Sequence, residues 1–324
     1  MTHAIRFAQT GGPQVLRWEA VKVGAPGAGE IRVRHGAVGV NFIDVYHRSG
    51  LYPVSLPSGL GMEAAGIVEA IGDDVSELRP GDRVAYASPP LGAYAEARLM
   101  PAERVVKLPD GVSEETAAAI MLKGLTAHYL LFRTYPVKRG DVILLHAAAG
   151  GVGSLLSQWA KALGATVIGT VGSADKAERA RAQGCDHVIN YREQDVARRV
   201  RELTNGEGVN VVYDSVGAAT FEGSLNSLKR LGMLVSFGNA SGKVPPFEPA
   251  LLSARGSLFF TRPTLMDYTA RRADLVAGAA ALFEAVRQGT LKIAIGGRYP
   301  LREAATAHRE LEARATMGSL LLLP

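Results

Sequence analysis

With 324 residues, 47% hydrophobic and 21% charged, the chain has the makeup of a soluble globular protein with room for two cored domains. Its formal charge of +5 comes without a long basic run or a basic-aromatic stripe, so no nucleic-acid partner is expected. Arg6 interrupts any N-terminal signal pattern, no uncharged apolar run approaches a membrane span, and the one cysteine, Cys185, excludes an intramolecular disulfide or a cysteine-based zinc cluster. The expected location is cytoplasmic.

Residues 1 to about 125 are rich in glycine and proline and read as short strands between turns. Ile31-Arg-Val-Arg34 alternates in period two, and Gly66-Ile-Val68 and Arg83-Val-Ala-Tyr86 are further strand candidates, the last introduced by the turn Arg79-Pro-Gly-Asp82. Residues 114–132 follow as a helix, with Ser113 as its N-cap. From Val142 the pattern becomes regular. Strands are expected at 142–146, 166–171, 188–189, 209–213, 233–237 and 257–261. Helices are expected at 152–163, 174–183, 193–203 and 219–229. Alternation of this kind implies a doubly wound parallel sheet with right-handed crossovers. Helices near 270–288 and 302–313 and a last strand at Leu320–Leu323 return to the first domain. The expected division is therefore 1–125, completed by about 265–324, and 126–264. Cys185, just ahead of a strand, reads as a buried, inert thiol.

The first strand-turn-helix of that sheet carries the chemistry. After the apolar run Val142–His146 come Ala147-Ala-Ala-Gly150-Gly151-Val152-Gly153, then Val152, Leu155, Leu156, Trp159 and Leu163 at one-face helical spacing, with Gly164 as the stop. Against G-x-G-x-x-G, Gly150 and Gly153 take the second and third places while Ala148 stands at the first. A loop without large side chains lets a pyrophosphate approach the amides and the positive end of the helix dipole. The alternative, that these glycines only make a tight turn, is outweighed by the βαβ context. The second strand ends Thr170-Val171-Gly172-Ser173 without the carboxylate that recognises a ribose 2′-hydroxyl. Asp175 lies further on, in the first turn of the next helix. Gly172 permits close approach, Ser173 donates, Lys176 meets a phosphate dianion, and Tyr191-Arg192 follow the neighbouring strand. NADPH is therefore expected over NADH.

The combination Gly140-Asp141, Leu144, Ala148-Ala149-Gly150-Gly151-Val152-Gly153, Gln158 and Lys161 is similar to the signature of the quinone oxidoreductase and zeta-crystallin family, the zinc-free branch of the medium-chain dehydrogenase/reductase superfamily. The resemblance covers nearly the whole chain, through Gly39–Tyr46, Arg48–Pro53, Gly61–Gly66, Lys123–Thr126, Tyr213–Gly217 and Ser236–Asn239 in family order. It implies an α/β protein with a GroES-like, mostly β catalytic domain and a Rossmann domain, an active site in the cleft between them, and a homodimer. Carried over by position, it implies cofactor contacts from Asn41, Phe42, Ile43, Asp44 and Tyr46, from Thr126 and Tyr129, and from Gly150, Gly151 and Val152. Further contacts are implied for Gly172, Ser173, Lys176, Tyr191, Ser215, Val216, Phe237, Gly238, Asn239, Ser241, Lys243, Arg262 and the 316–318 region. Zinc enzymes of this superfamily place a cysteine where Asn41 stands and a histidine where Met62 stands; only Glu63 survives, and a thioether beside an amide is a poor zinc site.

Without metal, hydride transfer (or transfer of single electrons) suits an acceptor that is already electrophilic, such as a quinone. Asn41, Tyr46 and Tyr52 lie in segments that face the cleft in this family and are candidates for orienting the acceptor carbonyl. As plain structural residues, the tyrosines would be wall residues and Asn41 a turn cap. Two other functions fit the same residues: an NADPH-dependent reductase of conjugated enals, enones or acyl thioesters, and a cofactor-binding structural or RNA-binding role.

Overall fold

The computed structural model describes residues 2–313 and 316–324, and the chain divides into two compact units. One comprises the residues up to Leu125 with Thr269–Gly289 and Ile293–Pro324; the other comprises Thr126–Tyr268 with Thr290–Lys292.

The first unit is built on a sheet ordered Ile295–Pro300, Ser319–Leu323, Glu30–Val40, Glu63–Ile71, Arg83–Ala87, Val106–Lys107, with Ala97–Pro101 also pairing Glu30–Val40. All these pairs are antiparallel except Ile295–Pro300 with Ser319–Leu323. Burial in Glu30–Val40 first alternates, as period-two patterning requires, and then becomes continuous over Ala37 and Val38 to Val40. That change of pattern is why the strand outruns the expected four residues. Val33, Val38, Leu60, Val84, Tyr86, Met100 and Leu320 form its core. A small sheet of Arg17–Val21, Thr2–Phe7 and Ser58–Gly59 accompanies it. The first two of these strands carry no clean apolar alternation and escape sequence reading.

The second unit holds a six-stranded, all-parallel sheet ordered His187–Asn190, Thr166–Val171, Val142–Leu145, Val209–Asp214, Leu228–Ser236, Phe259–Thr261. This is the expected doubly wound sheet. Leu144, Ile168, Val212 and Leu234 bury its interior against Val200, Phe221 and Leu225. The first helix runs Gly151–Ala162 and stops at Gly164, whose φ of 86° is the left-handed turn foreseen for it. Cys185 is buried, and burial pushes its thiol up to about 11.

Several boundaries differ from expectation. The helix expected to 132 is α-helical over Glu114–Tyr129 and then widens into a π turn at Leu130–Thr134. The helix expected from 193 begins at Val196, because the Asp195 carboxylate caps it through the Arg198 amide at 2.7 Å. The helix expected over 219–229 is shorter, Phe221–Ser227, and the next strand starts at Leu228. Leu231, at φ 61°, breaks that strand's register and hides its start. The last strand of the sheet begins at Phe259, after Ser257 turns with φ 55°.

His35 sits wholly inside the first unit, donating from Nδ1 to the Ala95 carbonyl at 2.6 Å and accepting at Nε2 from the Tyr86 hydroxyl at 2.9 Å. Burial, helped by the Arg98 charge, lowers its pKa from 6.5 to about 4. A depressed histidine supports the fold above pH 6.5 and withdraws that support as pH falls toward 4. At about 1.4 kcal/mol per pH unit, the loss reaches roughly 3 kcal/mol. Denaturant unfolding across this range should therefore show a smaller acid slope in His35→Gln, which keeps a donor and an acceptor in place, than in the unmodified protein.

Candidate active site

Because the second unit's sheet is wholly parallel, the segments leaving its strands all emerge at one edge. These are His146–Gly150, Gly172–Ser173, Tyr191, Ser215–Gly217, Phe237–Gly242 and Arg262. The topology thus gathers along one rim the candidate cofactor residues Gly150, Gly151, Val152, Gly172, Ser173, Lys176, Tyr191, Ser215, Val216, Phe237, Gly238, Asn239, Ser241 and Arg262. Thr126 and Tyr129 lie instead on the helix Glu114–Tyr129.

The turn at the first helix is too tight for side chains. A Cβ at Gly153 would lie 2.4 Å from the Ala147 carbonyl oxygen, and one at Gly150 would lie 3.1 Å from the same atom. Ala148 takes the first glycine place because Gly169, on the neighbouring strand, leaves room for its methyl; a Cβ there would stand 2.7 Å from it. The first intrahelical bond runs from the Ser154 amide to the Gly150 carbonyl at 2.8 Å, so the amides of Gly151, Val152 and Gly153 precede the ladder, as a phosphate cradle requires. At the tip of the second strand, a Cβ on Gly172 would lie 2.5 Å from the Tyr191 hydroxyl. Ser173 caps the next helix through the Lys176 amide. These small residues beside a lysine fit a dinucleotide carrying an extra phosphate.

A buried network sets this rim. The Asp214 carboxylate accepts from the amides of Val216 at 2.8 Å and Gly217 at 3.1 Å, and from the Thr220 and Ser224 hydroxyls. Because Ser224 donates to Asp214, His146 donates to Ser224 from Nε2 and accepts from Thr170 at Nδ1, both at 3.0 Å. Burial keeps His146 neutral by lowering its pKa. The Gly238 backbone lies so close to Ser215 that a Cβ would approach its carbonyl oxygen to 2.4 Å. The Ser241 hydroxyl donates to the Val216 carbonyl at 2.9 Å, and Arg262 donates to the Ser236 carbonyl at 2.8 Å.

In the first unit, Asn41 ends the strand Glu30–Val40 and starts the helix Phe42–Ser49. Its backbone N–H donates to Asp44 Oδ2 at 2.8 Å, and its side-chain Nδ2 donates to Glu63 Oε2 at 2.7 Å. Tyr46 and Tyr52 meet edge-on with ring centroids 5.1 Å apart, and Phe42 lies 6.3 Å from Tyr46. Tyr46 and Tyr52 are thus brought together, while the Asn41 side chain turns to Glu63. Glu63 is completely buried; the Leu122 amide donates to its Oε1 at 2.7 Å, and Lys123 Nζ lies 3.3 Å from Oε2. Lys123 was legible only as part of a family segment, since a lysine on an apolar helix gives no sign of its buried partner.

The positions occupied by zinc ligands in other branches are Asn41, Met62 and Glu63. Here the one anionic member already holds an ammonium group and an amide, and a divalent cation would have to displace Lys123. The residues present do not fit zinc.

A mostly antiparallel β unit whose turn residues do not fit zinc, joined in sequence to a Rossmann sheet with a glycine-lined rim, defines a medium-chain dehydrogenase/reductase. Residues 27–110 match the alcohol dehydrogenase GroES-like domain family, and residues 151–298 match the zinc-binding dehydrogenase family. A quinone oxidoreductase of Pseudomonas aeruginosa is 53% identical over the whole of both chains, and a 2-haloacrylate reductase of Burkholderia is 48% identical over 100% of this chain and 99% of the relative. The crystal structure of Escherichia coli quinone oxidoreductase complexed with NADPH covers both chains completely, with a TM-score of 0.98 and 49% identity. The chain belongs to the quinone oxidoreductase family of the superfamily.

Breaking a buried ion pair from one side leaves an uncompensated charge and costs roughly 3–5 kcal/mol. Lys123→Met should therefore be destabilised on that scale, and the double variant Lys123→Met, Glu63→Gln should recover much of the loss. Denaturant midpoints of the four proteins in the cycle check it.

Proposed function

We propose that this chain is a zinc-independent NADPH:quinone reductase. The observation that carries the reading is the tip of the second parallel strand, where Gly172, Ser173 and Lys176 replace the carboxylate that would select NADH and the Tyr191 hydroxyl packs over Gly172. Family membership at half identity over the full chain supports the same conclusion.

When bound, NADPH supplies a hydride. The protein's own residues divide the remaining work. The amides ahead of the first helix ladder hold the pyrophosphate, and Ser173 and Lys176 hold the 2′-phosphate. Thr126, Tyr129, Ser215, Val216, the 237–243 segment and Arg262 contact the rest of the cofactor, as do Phe42 and Ile43, whereas Asp44 is fully buried and acts through the turn it belongs to. Asn41, Tyr46 and Tyr52 orient the acceptor carbonyl. A quinone carbonyl needs only such hydrogen-bond donors, because aromatisation of the product already drives electron uptake. The hydride and one proton together convert the quinone to a hydroquinone.

The 2-haloacrylate reductase relative favours a second reading, in which an activated C=C bond takes the hydride. A homodimer and a cytoplasmic location complete the proposal. The dimer is supported by Phe259, which is 55% exposed on the outer strand of the parallel sheet. Among the described residues, no helix is long and apolar enough to cross a membrane.

Lys176→Ala should weaken NADPH binding about ten- to a thousand-fold, the value of one or two charge-assisted hydrogen bonds, while leaving NADH unaffected. Calorimetric titration with each cofactor measures this, and an equal loss for both would remove the assignment. Turnover with 1,4-benzoquinone and 9,10-phenanthrenequinone should exceed that with a short enone or 2-chloroacrylate. The reverse order would make the C=C reading the correct one.

A further inference from the structure

The helix Phe42–Ser49 carries a second polar chain that the cofactor and acceptor contacts leave unused. Arg48, on its last turn, is only 1% exposed. Its Nε donates to the Gly11 carbonyl at 3.0 Å, and its two terminal nitrogens donate to Glu312 at 2.7 and 2.9 Å. One of these nitrogens also lies 2.9 Å from His308 Nδ1. Arginine has no acceptor, so Nδ1 must accept and the His308 proton must sit on Nε2. That Nε2–H faces the Tyr94 oxygen at 3.0 Å, and Tyr94 in turn donates to Asp44 Oδ2 at 3.1 Å. Asp44 Oδ2 also accepts the Asn41 amide, while Oδ1 is buried without a hydrogen-bond partner.

Every bond in this chain points the same way, from Arg48 through His308 and Tyr94 to Asp44. Arg48 does not release a proton, so the chain is not a conduit for one. It is a brace whose polarity is fixed at its far end. Burial and the Arg48 charge keep His308 neutral by lowering its pKa to about 3, which protects the tautomer the brace requires.

We propose that His308 is a positioning residue of the reduction: with Arg48 and Tyr94 it delivers one oriented hydrogen bond to Asp44 Oδ2 and so holds the turn bearing Asn41 and Tyr46. The inference rests on the reading that this turn orients the acceptor.

The groups facing Asp44 are Tyr94, Glu63 and Lys123 from other elements and the Asn41 amide from its own turn, with His308 behind Tyr94, and Arg48 and its partner Glu312 behind His308. Burial pushes the Asp44 carboxyl up to about 7, Glu63 adds to the rise, and the Asn41 amide, Tyr94 hydroxyl and Lys123 oppose it. The ionised carboxylate grips the Asn41 amide and the Tyr94 hydroxyl more strongly than the neutral acid does. The turn is therefore best held above this transition, and kcat for quinone should rise as pH passes through about 7.

Tyr94→Phe deletes a donor to the carboxylate and should move that midpoint upward by about one pH unit. His308→Leu should do the same and lower kcat about tenfold or more, with KM for NADPH unchanged. His308→Gln, whose amide both accepts and donates, should restore the original midpoint. Asp44→Asn should abolish the transition. A second readout needs no turnover: infrared titration of the cofactor-free protein, with Asp44→Asn subtracted, follows the Asp44 carboxyl band directly. A band midpoint unmoved by Tyr94→Phe and His308→Leu overturns the brace itself. A band that moves while the kcat midpoint stays put overturns the role of this turn in orienting the acceptor and leaves the brace as a structural device only. Matching shifts in both support the proposal.

Discussion

A carboxylate taken wholly out of water must be met by donors, and Glu63 imposes that demand on everything around it. Its two oxygens draw in the Asn41 side chain, the Leu122 amide and the Lys123 ammonium, tying the start of one helix to the middle of another. The approach is possible only because Gly39 has no side chain, since a Cβ there would lie 2.1 Å from Glu63 Oε2 and 2.4 Å from the Ala118 carbonyl oxygen. Strand, turn and long helix are held together at this point, and the proposed acceptor-orienting residues follow directly from the turn.

The same pairing bears on the chemistry. Lys123 is paired with Glu63 at 3.3 Å, and a single ammonium group is a weaker polarising centre than a Lewis-acid metal. An acceptor that is already electrophilic matches such a site, whereas oxidation of an unactivated alcohol does not.

Each unit places its working loops on a buried polar network with a defined tautomer. His146, Ser224 and Asp214 hold the rim of the parallel sheet, and Arg48, His308 and Tyr94 hold Asp44. Burying these groups costs free energy that directional pairing offsets, and each network favours one arrangement of its loop. In both cases the histidine is kept neutral by burial. Ser224, His146 and Asp214 superficially resemble a hydrolytic triad, but the serine donates to the aspartate and is locked as a structural hydroxyl.

Much of this protein is determined locally. The parallel strands and their crossover helices announce themselves because apolar runs, small-residue turns and helical spacing act over a few residues, and the dinucleotide turn is legible for the same reason. Cofactor preference is nearly as local, since Gly172, Ser173 and Lys176 adjoin one strand tip. The boundaries at Leu130, Leu228 and Val196 were not legible, because a π turn, a left-handed leucine and a capping aspartate respond to packing and backbone detail. Tertiary structure alone decided the partners of Glu63, Asp44 and Asp214. Lys123 is 60 residues from Glu63 and His308 is 260 from Arg48, and nothing within a short window indicates which buried charge each will meet. Hydrophobic patterning specifies which elements form and which face they bury, whereas the pairing of polar groups inside depends on how those elements are finally brought together.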